Sequence, residues 1–255
     1  ESKPDHAQAH NNLGNILKER GDITEAIASY KAAISSHPDF ADAQINLGNT
    51  LLEQGCTRAA IDCYQRGLEI NPRLTTARIA LGVALMSAGK AEEALSSLRE
   101  AIELNPDNAD AHWNYSLALL LKGDYRNGWE SYEKRFGTSY ENHKLHASPK
   151  CNKWNGDLSR KPSKLLLVSE QGLGDTLQFI RYASTIKEEG IDITIYAQEK
   201  LHSLIRASGI DLNPASPEQA NQAKDGEWVP LLSLAKYLGV SPANVVNSQP
   251  YLKTT

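Results

Sequence analysis

Residues 41–74 read ADAQINLGNTLLEQGCTRAAIDCYQRGLEINPRL, and a shift of 34 residues in either direction lands on the same kinds of residue. Two rulers run through this stretch, both with a step of 34: Gly21, Gly55, Gly89 and Gly123, and Pro4, Pro38, Pro72 and Pro106. Such a step marks a stacked helical array, in which each unit is too small to bury its own apolar face and needs its neighbours. An array of this kind offers a surface to a partner and seldom carries chemistry. Reacting groups are therefore to be sought after the rulers stop.

Aligned at residues 7, 41, 75 and 109, the repeats stack into columns. Leu13, Leu47, Leu81 and Tyr115 form a large apolar column, followed by the small residues Gly14, Gly48, Gly82 and Ser116, where a neighbouring helix can approach closely. Leu17, Leu51, Leu85 and Leu119 come one turn later. In the second helix Ala26, Ala60, Ala94 and Gly128 face Tyr30, Tyr64, Leu98 and Tyr132. Spacings of three and four put these residues on one helical face. The glycine ruler falls just past each first helix, where a left-handed turn needs no Cβ. Pro-Asp opens three of the four repeats, which predicts proline in the first helical turn and an acid at the helix N-terminus.

Composition bounds the rest. A chain of 255 residues, 40% hydrophobic, can build two domains with cores of their own. A net charge of −4 supplies no basic field, and no element carries a Lys/Arg cluster with interleaved aromatics, so nucleic acid is not expected as a partner. No apolar run approaches the roughly 20 residues of a membrane helix, and no signal-peptide layout opens the chain. Cys56, Cys63 and Cys151 are odd in number and lack a framework spacing, which suits reduced thiols and a cytoplasmic setting. The chain opens on Glu1-Ser-Lys-Pro-Asp5, in the phase of Ser36-His-Pro-Asp39, and has no initiator Met. Further repeats are expected upstream.

These columns, over about residues 5 to 136, resemble the tetratricopeptide repeat. The resemblance implies antiparallel helix pairs stacked into a right-handed superhelix, with a concave groove lined by the first helices that takes a protein or peptide. One column departs from packing: Asn12, Asn46, Ala80 and Asn114, backed one turn on by Asn15 and Asn49. Asparagine is a mediocre helix former, so its recurrence in mid-helix asks for a reason. The pattern is similar to the repeats of O-linked N-acetylglucosamine transferase, which implies an amide ladder gripping an extended peptide backbone. The other reading is that the amides bond neighbouring helices to each other.

The fourth repeat changes character. Gly128 and Trp129 stand where earlier repeats carry Ala and Ile or Leu, and Arg135 replaces a small residue. This suggests a helix whose outer face meets something other than another repeat. It resembles the capping repeat of bacterial tetratricopeptide proteins whose array runs into a glycosyltransferase-like domain. The division expected is a repeat array over 1–136, a polar linker over 137–153 and a second domain over 154–255. In the linker His143, His146 and Cys151 lack a suitably spaced fourth ligand, so no metal site is expected.

In the second half Lys164-Leu-Leu-Leu-Val-Ser169 fits a buried strand. Then come the turn Glu170-Gln-Gly-Leu-Gly-Asp175, a helix over 176–189, a strand over 191–195, a helix over 199–208, short strands near 210–213 and 227–229, and a helix near 231–238. This order is the parallel, right-handed crossover of a Rossmann-like sheet. The turn carries the chemical signal: Gly172 and Gly174 let a ligand approach the backbone, and the helix behind favours an anion. A dinucleotide fingerprint fails, because Leu177 occupies the third glycine position and no acid follows at the required distance, and the Lys-Ser/Thr ending of a P-loop is missing.

Trp154-Asn-Gly-Asp-Leu158, Glu170-Gln-Gly-Leu-Gly-Asp-Thr-Leu-Gln-Phe179, Pro230-Leu-Leu-Ser-Leu234 and Pro250-Tyr-Leu252 resemble the N-terminal lobe of a GT-B glycosyltransferase of the bacterial heptosyltransferase type, over most of 150–252. The resemblance implies a fold made of an all-α tetratricopeptide superhelix followed by an α/β Rossmann-like three-layer lobe. It also implies Asp175 as general base on the acceptor hydroxyl, with Glu170, Gln171, Gly172 and Gly174 shaping the loop. The donor would be a nucleotide sugar bound mainly by a second lobe, with no cofactor in this stretch. The chain ends where that lobe would begin, so half a catalytic site and no isolated activity are expected. Against this stand a plain capping role for Asp175 and a non-catalytic adaptor in which the repeats do all the binding.

Overall fold

The computed structural model describes residues 4–138, 145–244 and 251–253. The chain divides into two compact units, Glu1–Lys122 and Gly123–Thr255. The first holds seven helices: α1 (Pro4–Arg20), α2 (Ile23–Ser36), α3 (Ala41–Glu53), α4 (Thr57–Ile70), α5 (Thr75–Ser87), α6 (Ala91–Leu104) and α7 (Ala109–Lys122). Each packs on the next, and the first helices α1, α3, α5 and α7 also touch in succession, so they line one face of the array. Gly21, Gly55, Gly89 and Gly123 take φ of +87°, +75°, +74° and +92°, the left-handed exit that the ruler predicts.

The core of the array is the set of columns. Ala26, Ala60 and Ala94 are fully buried, and Tyr30, Tyr64 and Leu98 lie beside them with 1% exposure or less. A Cβ added at Gly48 would stand 2.7 Å from the Tyr64 ring, and one at Gly82 would stand 2.5 Å from Leu98 Cγ. The close approach therefore needs glycine. Leu47 and Leu81 are 5% and 8% exposed, whereas Leu13, in the same column of the first repeat, is 46% exposed.

Pro4 is the first residue of α1, as expected, but the other three prolines correct the expectation. Pro38, Pro72 and Pro106 precede their helices, in turns closed by Phe40 N–H to His37 O (3.1 Å), Leu74 N–H to Asn71 O (3.3 Å) and Asn108 N–H to Asn105 O (3.1 Å). Each proline is the second residue of a β-turn, where its fixed φ is already correct.

The second unit begins with α8 (Tyr125–Tyr132), which continues into a 3₁₀ turn over Glu133–Gly137. Then follow β1 (Asn152–Lys153), β2 (Lys164–Val168), α9 (Leu173–Phe179), α10 (Arg181–Glu188), β3 (Asp192–Tyr196), a 3₁₀ turn leading into α11 (His202–Ala207), α12 (Pro217–Ala220), β4 (Glu227–Pro230) and a 3₁₀ turn leading into α13 (Leu234–Tyr237). The sheet is parallel in the order β1-β4-β2-β3, with Leu166 opposite Thr194 on one side and Trp228 on the other. Leu165, Leu166, Leu167 and Val168 are all buried, as their unbroken apolar run requires of an inner strand.

Three details differ from the sequence reading. The helix expected over 176–189 starts earlier, at Leu173, and is divided at Ile180, where Ala183 N–H bonds Ile180 O in a tighter turn. No strand forms over 210–213. Instead the Asp211 carboxylate accepts from Ile195 N–H at 2.7 Å, and Ala215 makes a single bridge to Tyr196, so an acid and one bridge cover the β3 edge. Part of the polar stretch before Trp154 is β1, paired to β4, and Trp154 N–H bonds Trp228 O at 2.8 Å.

What pins α8 to the sheet is Arg135. Its side chain and that of Glu170 are both 0% exposed, and they meet through two parallel bonds of 2.8 Å, Nε to Oε2 and Nη2 to Oε1. Nη1 donates to Tyr132 O (3.1 Å) and Glu133 Oε1 (2.9 Å), and Nη2 also donates to Ser233 Oγ (3.0 Å). The Leu232 N–H adds a third donor to Glu170 at 3.1 Å, and the Phe136 ring lies 4.1 Å from the guanidinium carbon. Nearly every polar atom of the pair is thereby satisfied, the condition under which two charges can be buried without a large net loss.

Two predictions follow from this packing. Arg135→Met leaves Glu170 buried and unpaired and lowers the stability of the second unit by about 3–5 kcal/mol, most of it recovered in Arg135→Met/Glu170→Leu. Urea unfolding read by tryptophan fluorescence measures this, since Trp129, Trp154 and Trp228 all lie in that unit; a single-variant loss under about 1 kcal/mol would contradict it. In the array, Tyr30 and Tyr64 donate to Asn15 Oδ1 and Asn49 Oδ1 at 2.9 and 2.8 Å, and the third repeat carries Val83 and Leu98 at the same two places. Tyr64→Leu alone is expected to cost about 2 kcal/mol or more, and adding Asn49→Val to recover at least about 1 kcal/mol, measured as a double-variant cycle.

Candidate functional site

Five amides of the first helices were expected to form a ladder, and the structure gives them different surroundings. Asn12 is exposed, with its Oδ1 accepting from Gln8 Nε2 at 2.9 Å. Asn46 is half-buried and donates at 3.0 Å to Oδ1 of Asn11, which is 4% exposed, so this amide links α1 to α3. Asn15 and Asn49 accept the tyrosine hydroxyls just described. Asn114 is 5% exposed and donates back to Asp110 O at 2.8 Å. The column thus holds one open amide, one shared between helices and one turned into its own helix. Asn11 was missed by the sequence reading, although it stands beside Asn12 where later repeats carry Ile45, Ile79 and Trp113.

The turn after β2 is built tightly from its own atoms. Gln171 takes φ +59°, the left-handed region that a residue with a Cβ seldom enters. Gly172 caps α9, and its N–H donates to Asp175 Oδ2 at 3.1 Å, so the aspartate holds the third helical position and folds back on the cap. Asp175 is therefore not the cap of a helix starting at 176, as the plain capping reading has it, but the third residue of a helix capped by Gly172, and its side chain is half-buried. Thr176 Oγ1 donates to Gln198 Oε1 at 3.1 Å, which ties the turn to the segment after β3. At Gly174 an added Cβ would meet nothing within 4 Å. The protein's own packing does not require glycine there.

Glu170 differs from its neighbours in the turn. In an open parallel sheet a ligand binds beyond the carboxyl ends of the strands, where the strand order reverses. Here β2 leads to β3 on one side while β4 lies on the other, so that place is the boundary of β2 and β4. Glu170 follows β2, Leu232 and Ser233 follow β4, and Arg135 fills the space between them. Glu170 is therefore committed to the protein's own guanidinium. Burial works against the charge of Arg135, but its hydrogen bonds and the field of Glu170, with Glu133, outweigh that and hold its pKa above the usual value. Burial likewise pushes the nearby Tyr132 phenol up to about 12. A signal for Arg135 was present in the sequence: its column otherwise holds Ala33, Gly67 and Ala101.

Trp129 meets the α/β unit and not another repeat, with Nε1 on Val240 O at 2.8 Å and its ring edge-on to Phe179 at 6.1 Å. His146 Nδ1 lies 2.9 Å from Ser169 Oγ, and Cys151 is half-buried with its thiol pKa raised by burial. His143 and Pro250 lie outside the described residues. Among the described residues no group of three His, Cys, Asp or Glu side chains stands at metal-binding distance, and no helix is long and apolar enough to cross a membrane.

Residues 14–55 and 82–123 match a family model described as TPR repeat, and residues 41–74 match one described as tetratricopeptide repeat. No curated protein matches the chain in sequence. Similar solved structures include "Crystal structure of MamA protein", at 24% identity and a TM-score of 0.49 over 53% of this chain and 74% of that one. MamA 41-end from Desulfovibrio magneticus RS-1 is similar at 21% identity and a TM-score of 0.49 over 52% and 75%. "Crystal structure of YrrB: a TPR protein with an unusual peptide-binding site" is similar at 21% identity and a TM-score of 0.46 over 51% and 67%. Residues 14–74 and 82–123 of this chain are thus similar to tetratricopeptide repeats.

Proposed function

We propose that the repeat unit binds a protein or peptide segment and presents it to a glycosyltransferase-like domain of GT-B type, whose acceptor-side lobe is formed by the α/β unit. The observation that carries the first half is the succession of touching first helices, with the exposed Asn12 and half-buried Asn46 on them. A primary amide donates and accepts at once and so suits a peptide backbone of any sequence. The second half rests on the Gly172–Asp175 turn at the carboxyl end of β2. Asp175 is the acid there that is not taken up in an ion pair, Gly174 leaves open space beside it, and the donor would be a nucleotide sugar held by a second lobe. An aspartate in this position can take a proton from an acceptor hydroxyl once the site is closed.

One observation favours a second reading, the non-catalytic adaptor. Arg135 and Glu170 occupy the carboxyl-edge crevice between β2 and β4, which makes the α/β unit a docking platform if no ligand enters beside them.

Replacing Asn12 and Asn46 together with Ala is expected to weaken binding of extended peptides from an immobilised library by roughly tenfold or more, about 1.4 kcal/mol, with helicity kept and the melting temperature lowered only by loss of the Asn46–Asn11 bond. Equal binding by the variant would remove the amides from the groove's function. In the intact protein Asp175→Asn lowers sugar transfer by about 10²–10⁴-fold. Calorimetric titration that finds no nucleotide sugar bound by the intact protein leaves the adaptor.

A further inference from the structure

A concavity lies in the α/β unit, lined by none of the residues of the Gly172–Asp175 turn. It encloses about 590 Å³, within the 300–1,000 Å³ of ordinary small-molecule sites. One wall is the face of α8 that carries Tyr125, Arg126, Trp129 and Glu130, and the other is the end of α13 with the turn that follows it. Two bonds tie the walls together: Trp129 Nε1 to Val240 O at 2.8 Å, and Lys236 Nζ to Glu130 Oε2 at 2.9 Å. The turn itself is held by Asn244 Nδ2, which donates to Leu238 O at 2.9 Å and Gly239 O at 3.2 Å. The space is therefore formed before any ligand arrives, which lowers the ordering cost of binding.

Its chemistry is specific. Tyr125 and Tyr237 supply ring surface, and Tyr237 is braced edge-on by the buried Trp154 at 5.4 Å between ring centres. Two cations, Arg126 and Lys236, line the cavity against one acid, Glu130. Lys236 is paired with Glu130, so Arg126 is the surplus charge, and it is exposed. A guanidinium is a planar fork matched to a carboxylate. Around it Glu130, Lys236 and Ser241 offer acceptors and donors. The hydroxyls of a sugar ring would satisfy these groups, whereas a flat hydrocarbon ring would leave them unpaired.

We propose that this cavity binds an acidic sugar unit, a pyranose whose ring lies against Tyr125 and Tyr237 and whose carboxylate pairs with Arg126. Nothing in this assignment depends on Asp175 or on the transferase reading.

The test is a titration of the isotopically labelled full chain, followed by the amide and indole N–H resonances. Methyl β-glucuronide is expected to give saturable shifts at the Trp129 indole N–H and the Gly239 amide, with an affinity roughly tenfold or more above that of methyl β-glucoside. Arg126→Gln should remove that tenfold advantage with an unchanged melting temperature, since the side chain is exposed. Any of four results overturns the proposal. These are no saturable shift up to about 50 mM glucuronide, equal binding of glucoside, tighter binding of 4-hydroxybenzoate than of glucuronide, or an Arg126→Gln variant that binds glucuronide as well as the parent chain.

Discussion

Burying a guanidinium against a carboxylate is worthwhile to a protein only when both ions keep nearly all their hydrogen bonds, and the Arg135–Glu170 pair meets that condition with three segments of chain. Arg135 comes from the 3₁₀ turn that follows α8, Glu170 from the turn after β2, and Leu232 and Ser233 from the turn after β4. Replacing the whole set by apolar side chains of similar volume would be close to neutral, while removing one member strands a charge. The consequence of such an arrangement is geometric: a slide of α8 by one residue breaks two parallel bonds at once. The pair therefore fixes where α8 lies relative to the carboxyl ends of β2 and β4 and, through Glu170, where the Gln171–Asp175 turn begins.

The same pair explains why the fourth repeat is divided. In the first three repeats the position that Arg135 holds is Ala33, Gly67 or Ala101, small residues, and at Gly67 the preceding helix α3 comes close, with Ile45 Cδ1 2.6 Å from where a Cβ would stand. Arginine there cannot serve that packing, and its charge finds its partner in the α/β unit. Trp129 and Gly128 complete the change: the indole donates to Val240 O and Gly128 is buried. Helix α7 accordingly belongs with the array, and α8 belongs with the sheet.

Much of this was legible in the sequence, for physical reasons that also mark where legibility stopped. The rulers and columns report one-dimensional periodicity, and stacking depends on that alone, so the helices and their left-handed exits could be placed to within a residue or two. The buried strand was readable because Leu165 to Val168 are unbroken by polar residues. The fate of single polar side chains was not readable. Asn15 and Asn49 look like groove amides until Tyr30 and Tyr64 are found to donate to them, and Glu170 looks like a loop acid until Arg135 is found 35 positions away in sequence. Partners that far apart leave no periodic trace. The one available clue was that the third repeat lacks the tyrosine and the amide together, with Leu98 and Val83 in their places. Strand β1 escaped because its two residues, Asn152 and Lys153, are polar and exposed at a sheet edge, where nothing in their side chains reports the pairing.

The proposed function puts recognition on the repeats and in the cavity beside α8, and proton transfer at the Asp175 turn. It depends on α8 being a structural part of the α/β unit, because that helix supplies both Arg135's anchorage and one wall of the cavity. Native-state hydrogen exchange on the full chain tests this most directly. The account predicts that the amides of Gly128 to Tyr132 open with the same free energy and denaturant dependence as those of β2 and β4. Exchange of these amides together with α7, at a free energy distinct from that of the sheet, would contradict it.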